Sequence, residues 1–163
     1  MIEFETPDLC DRFPDQVRVV TPLFRHFGAV HKFCGPVATV KCHEDNVLIR
    51  TAAREPGNGR VMVVDGGGSL RSALVGDGVA EWAQEHGWAG MLIYGCVRDI
   101  TPLAKVAIGV LAIGINPWQP AKRGDGLRDV PVTFADVRFE PGEWLYADVD
   151  GVVVSARELR LAA

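Results

Sequence analysis

Between residues 60 and 95 the chain alternates strand, helix and strand, and that alternation restricts its fold more than any other feature. Residues 60–65 (Arg-Val-Met-Val-Val-Asp) are a short β-branched run closed by glycine, and residues 91–95 (Met-Leu-Ile-Tyr-Gly) are a second apolar run. Between them Val79, Ala80, Trp82 and Ala83 recur near a period of 3.6, and Gly87 follows as a C′ glycine does. A shorter helical turn at residues 69–74 would start with Ser69 as its N-cap. Two strands joined through a helix pair in parallel, and a parallel sheet needs cover on both faces, so the expected class is α/β.

Other runs that read as strands are residues 36–42, 105–115, 131–139 and 151–155, and residues 45–54 read as a helix. The C-terminal part holds strands and turns, including Asp125-Gly126 and Asp150-Gly151, with little helix. The expectation is a central mixed sheet, parallel in the middle and antiparallel toward the end. Residues 117–130 are the segment richest in turn residues and charge, and the one expected to be mobile. With no internal repeat and no linker, residues 1–163 form one domain, long enough to bury roughly 70% of the surface its unfolded chain exposes.

The formal net charge is −4 with both signs interspersed, which argues against a nucleic-acid surface built on phosphate contacts. No apolar run reaches the ~18 residues of a membrane span, and the first residues carry acids rather than a signal-peptide core. The chain therefore reads as cytoplasmic and membrane-free. Cys10, Cys34, Cys42 and Cys96 lack the close pairing of a zinc site and read as buried free thiols. His26, His31, His43 and His86 likewise show no ligand spacing, so surface or capping roles suit them.

Chemistry concentrates at three places. Asp65-Gly66-Gly67-Gly68-Ser69 follows a strand, where glycine N–H groups can cradle an anion or simply turn the chain. It meets the G-x-G-x-x-G spacing of nucleotide sites only loosely, and no acid ends a following strand ~20 residues on. Gly76-Asp77-Gly78-Val79 opens the longer helix, with Asp77 as its N-cap and free N–H groups suited to a carboxylate ligand. Arg98-Asp99 lies just past a strand, at the edge where α/β sheets collect ligands. An adjacent Arg–Asp pair on a surface contributes little. At a strand end, however, Arg can grip a carboxylate in bidentate fashion, and a single Asp is a sufficient protein ligand for Mg²⁺.

Asp77, twenty intervening residues and Arg98-Asp99 match the D-x₂₀-R-D motif of the RraA-like proteins, and the chain resembles that family along nearly its whole length. Supporting matches include Thr6-Pro-Asp-Leu-Cys-Asp11, Glu44-Asp-Asn46, Val63-Val-Asp-Gly-Gly-Gly-Ser-Leu-Arg71 and Tyr146-Ala-Asp148. The resemblance implies a swivelling β/β/α-type fold, a homotrimer with sites between subunits, and a divalent cation, Mg²⁺ or Mn²⁺, on Asp99. It also implies that Arg98 meets the keto oxygen of pyruvate and that Asp77 holds metal-bound waters. Backbone amides of the loop Gly76, Asp77, Gly78 and Val79 would bind the pyruvate carboxylate. Some family aldolases use an acid from a C-terminal extension, whereas this chain stops at Ala163.

The activity so implied is cleavage of 4-hydroxy-4-methyl-2-oxoglutarate or a related 4-hydroxy-2-keto acid, with oxaloacetate decarboxylation through the same pyruvate enolate. A cation on the keto oxygen and a fixed guanidinium both stabilise the charge that bond breaking creates. The alternative within the family is a non-enzymatic inhibitor of ribonuclease E. A third possibility, a menaquinone-pathway methyltransferase, ranks lowest because the glycine loop lacks the needed spacing and ribose-binding acid.

Overall fold

A computed structural model of the chain describes residues 3–161. Its elements are α1 (Thr6–Arg12), β1 (Val17–Val19), β2 (Arg25–His26), β3 (Phe33–Lys41), α2 (Val47–Ala53), β4 (Val61–Asp65), β5 (Ala73–Val75) and α3 (Asp77–Glu85). They continue through β6 (Gly90–Val97), α4 (Ile100–Leu103), β7 (Gly109–Ile115), β8 (Leu127–Arg128), β9 (Val132–Phe134), β10 (Val137–Phe139), β11 (Trp144–Ala147) and β12 (Val152–Ser155). The main sheet runs β1-β12-β11-β3-β4-β6-β7-β2, with β5 on β6 and β8 on β3. Its centre, β3-β4-β6-β7, is parallel, and both flanks are antiparallel.

Val61, Met62, Val63 and Val64 of β4 are all fully buried, as a central parallel strand requires. Met62 and Val64 turn to the face covered by α2 and α3, where Ile49, Ala52, Ala80, Ala83, Met91 and Ile93 join them. Val61 and Val63 turn to the opposite face, where they meet Leu92, Phe134, Phe139 and Leu145 beneath the β9–β10 hairpin. Alternation along one strand thus builds both halves of the core, between a hairpin layer and a helix layer. Phe33 lies across the paired starts of β6 and β7: a Cβ at Gly90 would sit 2.3 Å from its ring and one at Gly109 2.1 Å. The absent side chains of these two glycines are the space that the ring fills.

Several expectations need correction. Residues 69–74 make no helix. The chain runs from the turn into strand β5, because Gly67 and Gly68 both take positive φ (68° and 67°) and the Ala73 N–H goes to the Trp118 carbonyl. The run 131–139 is two strands, folded at Ala135-Asp136 with φ of 49° and 63°, the two-residue geometry that suits a hairpin. The run 105–115 becomes strand only from Gly109. Segment 117–130 is pinned rather than loose: β8 pairs with β3, and Asp45 accepts backbone N–H bonds from Arg123 and Gly124. Among the described residues no helix is long and apolar enough to cross a membrane.

Candidate active site

Parallel pairing of β5 with β6 sets Val75 beside Val97, so the residues that follow each strand emerge on one rim. From β5 come Gly76 and Asp77, and from β6 come Arg98 and Asp99. The Arg98 N–H donates to the Val75 carbonyl at 3.0 Å, which locks the two strand ends together. Gly76, not Asp77, is the N-cap of α3, and Asp77 is the first residue of the helix. One Asp77 oxygen, Oδ1, accepts the Gly78 N–H at 2.8 Å. The first turn of a helix leaves N–H groups without intrahelical partners; Asp77 Oδ1 takes that of Gly78, and Asp77 and Val79, which carry two of the others, line the cavity.

Asp99 is held in the left-handed region (φ 56°, ψ 44°), a conformation that Asp tolerates and that recurs at functional sites. Its Oδ2 lies 3.5 Å from Arg98 Nε. A Cβ at Gly76 would come within 2.5 Å of the same oxygen, so glycine here is a matter of close approach, since its own φ is −120°. The Asp99 side chain is 41% exposed.

Gly76, Asp77, Gly78, Val79, Arg98 and Asp99 all line one cavity of about 210 Å³. The expected site residues therefore meet in space. Composition and spacing did not single out several other contributors: Asn46, Arg50, Trp82, Gln119 and Lys122. Asn46 Nδ2 donates to the Leu74 carbonyl at 3.0 Å, and its buried Oδ1 has no partner. Trp82 carries the Arg54 guanidinium 3.5 Å from its ring centroid and that of Arg50 at 5.5 Å. Lys122 meets the Gln119 side chain at 3.3 Å. Only the charge of segment 117–130 hinted at these last two residues. Arg50 and Trp82 looked like ordinary positions on two helices, and a shared cavity between α2 and α3 is invisible along the chain.

The first glycine loop stays outside. Gly66 and Gly68 N–H groups both go to the Tyr94 carbonyl, and the Gly67 N–H goes to Asp65 Oδ1 at 2.9 Å. With its donors spent internally it is a tight turn, not an anion cradle. Glu44 braces it from outside, accepting from Ser69 Oγ at 2.6 Å and Arg71 Nε at 2.5 Å, and those bonds lower the Glu44 pKa.

Among the described residues no three His, Cys, Asp or Glu side chains form a cage for a metal ion. Asp99 nevertheless fits a Mg²⁺-type cation, which commonly takes one or two carboxylates and fills its remaining positions with water and substrate oxygens. Its exposed carboxylate, passing over a glycine whose Cβ would block it, leaves room for such ligands. The four cysteines are free, but only Cys42 and Cys96 are buried as expected, Cys10 and Cys34 being half-buried. Desolvation raises all four thiol pKa values, that of Cys42 to about 12 with help from Asp45 and Asp65.

Residues 6–154 match the family model RraA-like, described as Aldolase/RraA. A protein of Xanthomonas campestris pv. campestris, provisionally named a 4-hydroxy-4-methyl-2-oxoglutarate aldolase, is 58% identical over 96% of this chain and 93% of its own. Two solved structures superpose closely under different names. One, from Geobacillus kaustophilus, is called an S-adenosylmethionine: 2-dimethylmenaquinone methyltransferase (48% identity, TM-score 0.92, 96% of this chain and 97% of that one). The other is the RNA-processing inhibitor RraA from Thermus thermophilis (42% identity, TM-score 0.93, 97% and 96%).

Proposed function

The chain belongs to the RraA-like (Aldolase/RraA) family, and on that premise we propose that it is a divalent-metal-dependent aldolase. It cleaves 4-hydroxy-4-methyl-2-oxoglutarate, or a related 4-hydroxy-2-keto acid, to pyruvate, and decarboxylates oxaloacetate at the same site. One observation carries this reading: Arg98 and Asp99 share a rim with the N-terminus of α3, and the Asp99 carboxylate passes directly over Gly76.

Each residue has a separate task. The N–H groups of Asp77 and Val79 take the substrate's C1 carboxylate, as helix N-termini do for anions, while that of Gly78 is held by Asp77 Oδ1. Asp99 holds the cation, Mg²⁺ or Mn²⁺, which when bound supplies Lewis-acid stabilisation of the C2 keto oxygen. Asp77 spends Oδ1 on the Gly78 N–H, and its other oxygen orders a water that receives the 4-hydroxyl proton. As that proton leaves, its O–H electron pair forms the C4 carbonyl of the departing 2-keto acid or related carbonyl product. The C3–C4 bond breaks with its electron pair moving toward C2, placing negative charge on the C2 oxygen. Arg98 faces that charge with a guanidinium already held beside Asp99. Protonation at C3 then yields pyruvate. Oxaloacetate reaches the same enolate by losing CO₂. Arg50 and Lys122, the cavity's other cations, suit the second carboxylate of a dicarboxylic substrate.

Purified protein with Mg²⁺ should release pyruvate from both substrates. Asp99→Ala and Arg98→Ala should each cost at least about 10²-fold in kcat, the scale of losing one electrostatic group at a reacting oxygen. A wild-type rate no greater than that of free Mg²⁺ would overturn the proposal.

The assembly we propose is a homotrimer. Leu70, Ile115 and Trp118 are exposed apolar side chains beside the cavity, Trp118 by 73%, and Asn116 ties this patch together through the Leu70 carbonyl and the Trp118 N–H. Cover by a neighbouring copy would bury the patch and narrow the open mouth.

The Thermus relative keeps a second reading in play, in which the chain inhibits ribonuclease E through a protein surface. A pull-down with the ribonuclease and an RNA-cleavage assay separate the two, and no association at micromolar concentration would remove the regulator. The methyltransferase reading fares worse, because the N–H groups of Gly66, Gly67 and Gly68 are already engaged within the chain. Saturable calorimetric binding of adenosylmethionine would revive it.

A further inference from the structure

Asp45 is 1% exposed, and a buried carboxylate is costly unless its oxygens are fully bonded. Here one oxygen, Oδ1, accepts the Val47 N–H at 3.0 Å, at the start of α2. The other, Oδ2, accepts three successive N–H groups from 78 to 80 residues away: Arg123 at 2.7 Å, Gly124 at 3.0 Å and Asp125 at 3.4 Å. Gly124, at φ +84°, supplies the reversal that lets consecutive N–H groups converge on one anion. On the other side of Lys122, the Ala121 N–H donates to the Glu44 carbonyl at 2.8 Å and the Ala121 carbonyl accepts the Asn46 N–H at 3.4 Å. The backbone is therefore clamped immediately before and after Lys122. The Lys122 side chain, in contrast, is exposed at the cavity and donates to Gln119 Oε1 at 3.3 Å.

We propose that Asp45 is a positioning residue: by holding the amides of Arg123, Gly124 and Asp125 it fixes Lys122 at the cavity mouth, and through Lys122 it sets how tightly a dicarboxylate is held. The proposal rests on the reading of the cavity as a keto-acid site, and it extends that reading to a residue that touches no substrate. The side chains on either side of Asp45 tie down two further segments, one outside the cavity and one in its wall. Glu44 braces the turn at Ser69 and Arg71, and Asn46 holds the carbonyl of Leu74, two residues before Gly76. Asp45 is the member that reaches the segment lying farthest away in sequence.

The test measures binding rather than turnover, so that it is independent of whether the aldol is cleaved. With Mg²⁺ present, 2-oxoglutarate offers both carboxylates and the keto group but no 4-hydroxyl, and its Kd is read by calorimetry on the intact protein. Lys122→Ala and Asp45→Asn should each raise Kd by roughly tenfold, the scale of one charge-assisted contact. The double variant should be no weaker than the worse single one, because both remove the same contact. Gly124→Ala keeps the buried carboxylate and strains the loop instead. It should raise Kd in the same direction, and it carries the test if Asp45→Asn does not fold.

Amide hydrogen exchange at residues 121–125 should quicken in Asp45→Asn while the central strands stay protected. Additive losses in the double variant, an unchanged Kd in Asp45→Asn and Gly124→Ala, or no 2-oxoglutarate binding by the wild type would each overturn the proposal. A wild type that binds 2-oxoglutarate with these dependences yet releases no pyruvate would overturn the aldolase reading and leave the role of Asp45 standing.

Discussion

At Gly76 a single missing methyl group decides the geometry of the site. Its backbone conformation is open to any residue, and what excludes a side chain is Asp99 Oδ2, 2.5 Å from where a Cβ would stand. Gly76→Ala should push that carboxylate aside and lower pyruvate release at least tenfold, while the urea midpoint moves by less than about 1 kcal/mol in equivalent stability. Equal activity in the variant would show that the close approach is incidental. Cys42 gives a second residue-level expectation. With its thiol raised to about 12 by burial beside Asp45 and Asp65, it stays protonated at neutral pH. It should resist alkylation in the native protein and react only on unfolding, as mass spectrometry of the labelled peptide would show. The sequence makes Asp77, Arg98 and Asp99 easy to find because the motif falls on a helix start and a strand end. It hides Arg50, Trp82 and Lys122, whose meeting depends on how α2, α3 and a distant loop converge.

At the scale of elements, the alternation from residue 60 to 95 was legible because β4 and β6 are apolar on both faces and α3 on one. The turn at Ser69 reads as a helix start for a local reason: its hydroxyl does accept the Arg71 N–H at 3.2 Å as a cap would, but the Gly67 and Gly68 backbones turn the chain into β5 instead of a helix. Short edge strands such as β1 and β2 carry too few residues to show a period. The β9–β10 hairpin turns on two non-glycine residues with positive φ, Ala135 and Asp136. Asp136 is anchored by the Thr21 hydroxyl at 2.6 Å, but Ala135 has no such compensation from its own side chain. Left-handed backbone at a residue with a Cβ costs on the order of 1 kcal/mol. Ala135→Gly should therefore stabilise the protein by roughly 0.5–1 kcal/mol in a urea titration, and a loss of stability would contradict that account of the turn.

The molecule as a whole should respond to acid in two stages. Burial lowers the pKa of His26, against a smaller opposing pull from the Asp148 carbonyl, so the folded state disfavours its proton. Stability that depends on neutral His26 is full above the unfolded value of about 6.5 and declines as pH falls through it. Burial alone would raise Asp45 and Asp148, but the amides on both carboxylates, with the Thr6 hydroxyl on Asp148, outweigh it and both pKa values are lowered. Their contribution is complete above the unfolded value of about 3.9 and disappears as pH drops through their lower folded values. Urea midpoints against pH should show a shallow decline from about pH 6.5 and a steep one below about pH 4. A profile flat down to pH 4 would remove His26 from the account. Sedimentation at equilibrium should give three times the chain mass, and Trp118→Glu should shift that mass toward the monomer. A monomeric wild type would contradict the assembly.

Phe33 and the two glycines beneath it tie three distant stretches of sequence into one inherited unit. Enlarging Gly90 or Gly109 leaves no place for the ring, and shrinking the ring leaves a hole over bare backbone. No single replacement at any of the three leaves the fit intact, so drift among descendants has to pass through paired changes. Across relatives, positions 33, 90 and 109 should either all be kept or vary together, a large residue at one glycine position always accompanied by a smaller one at 33.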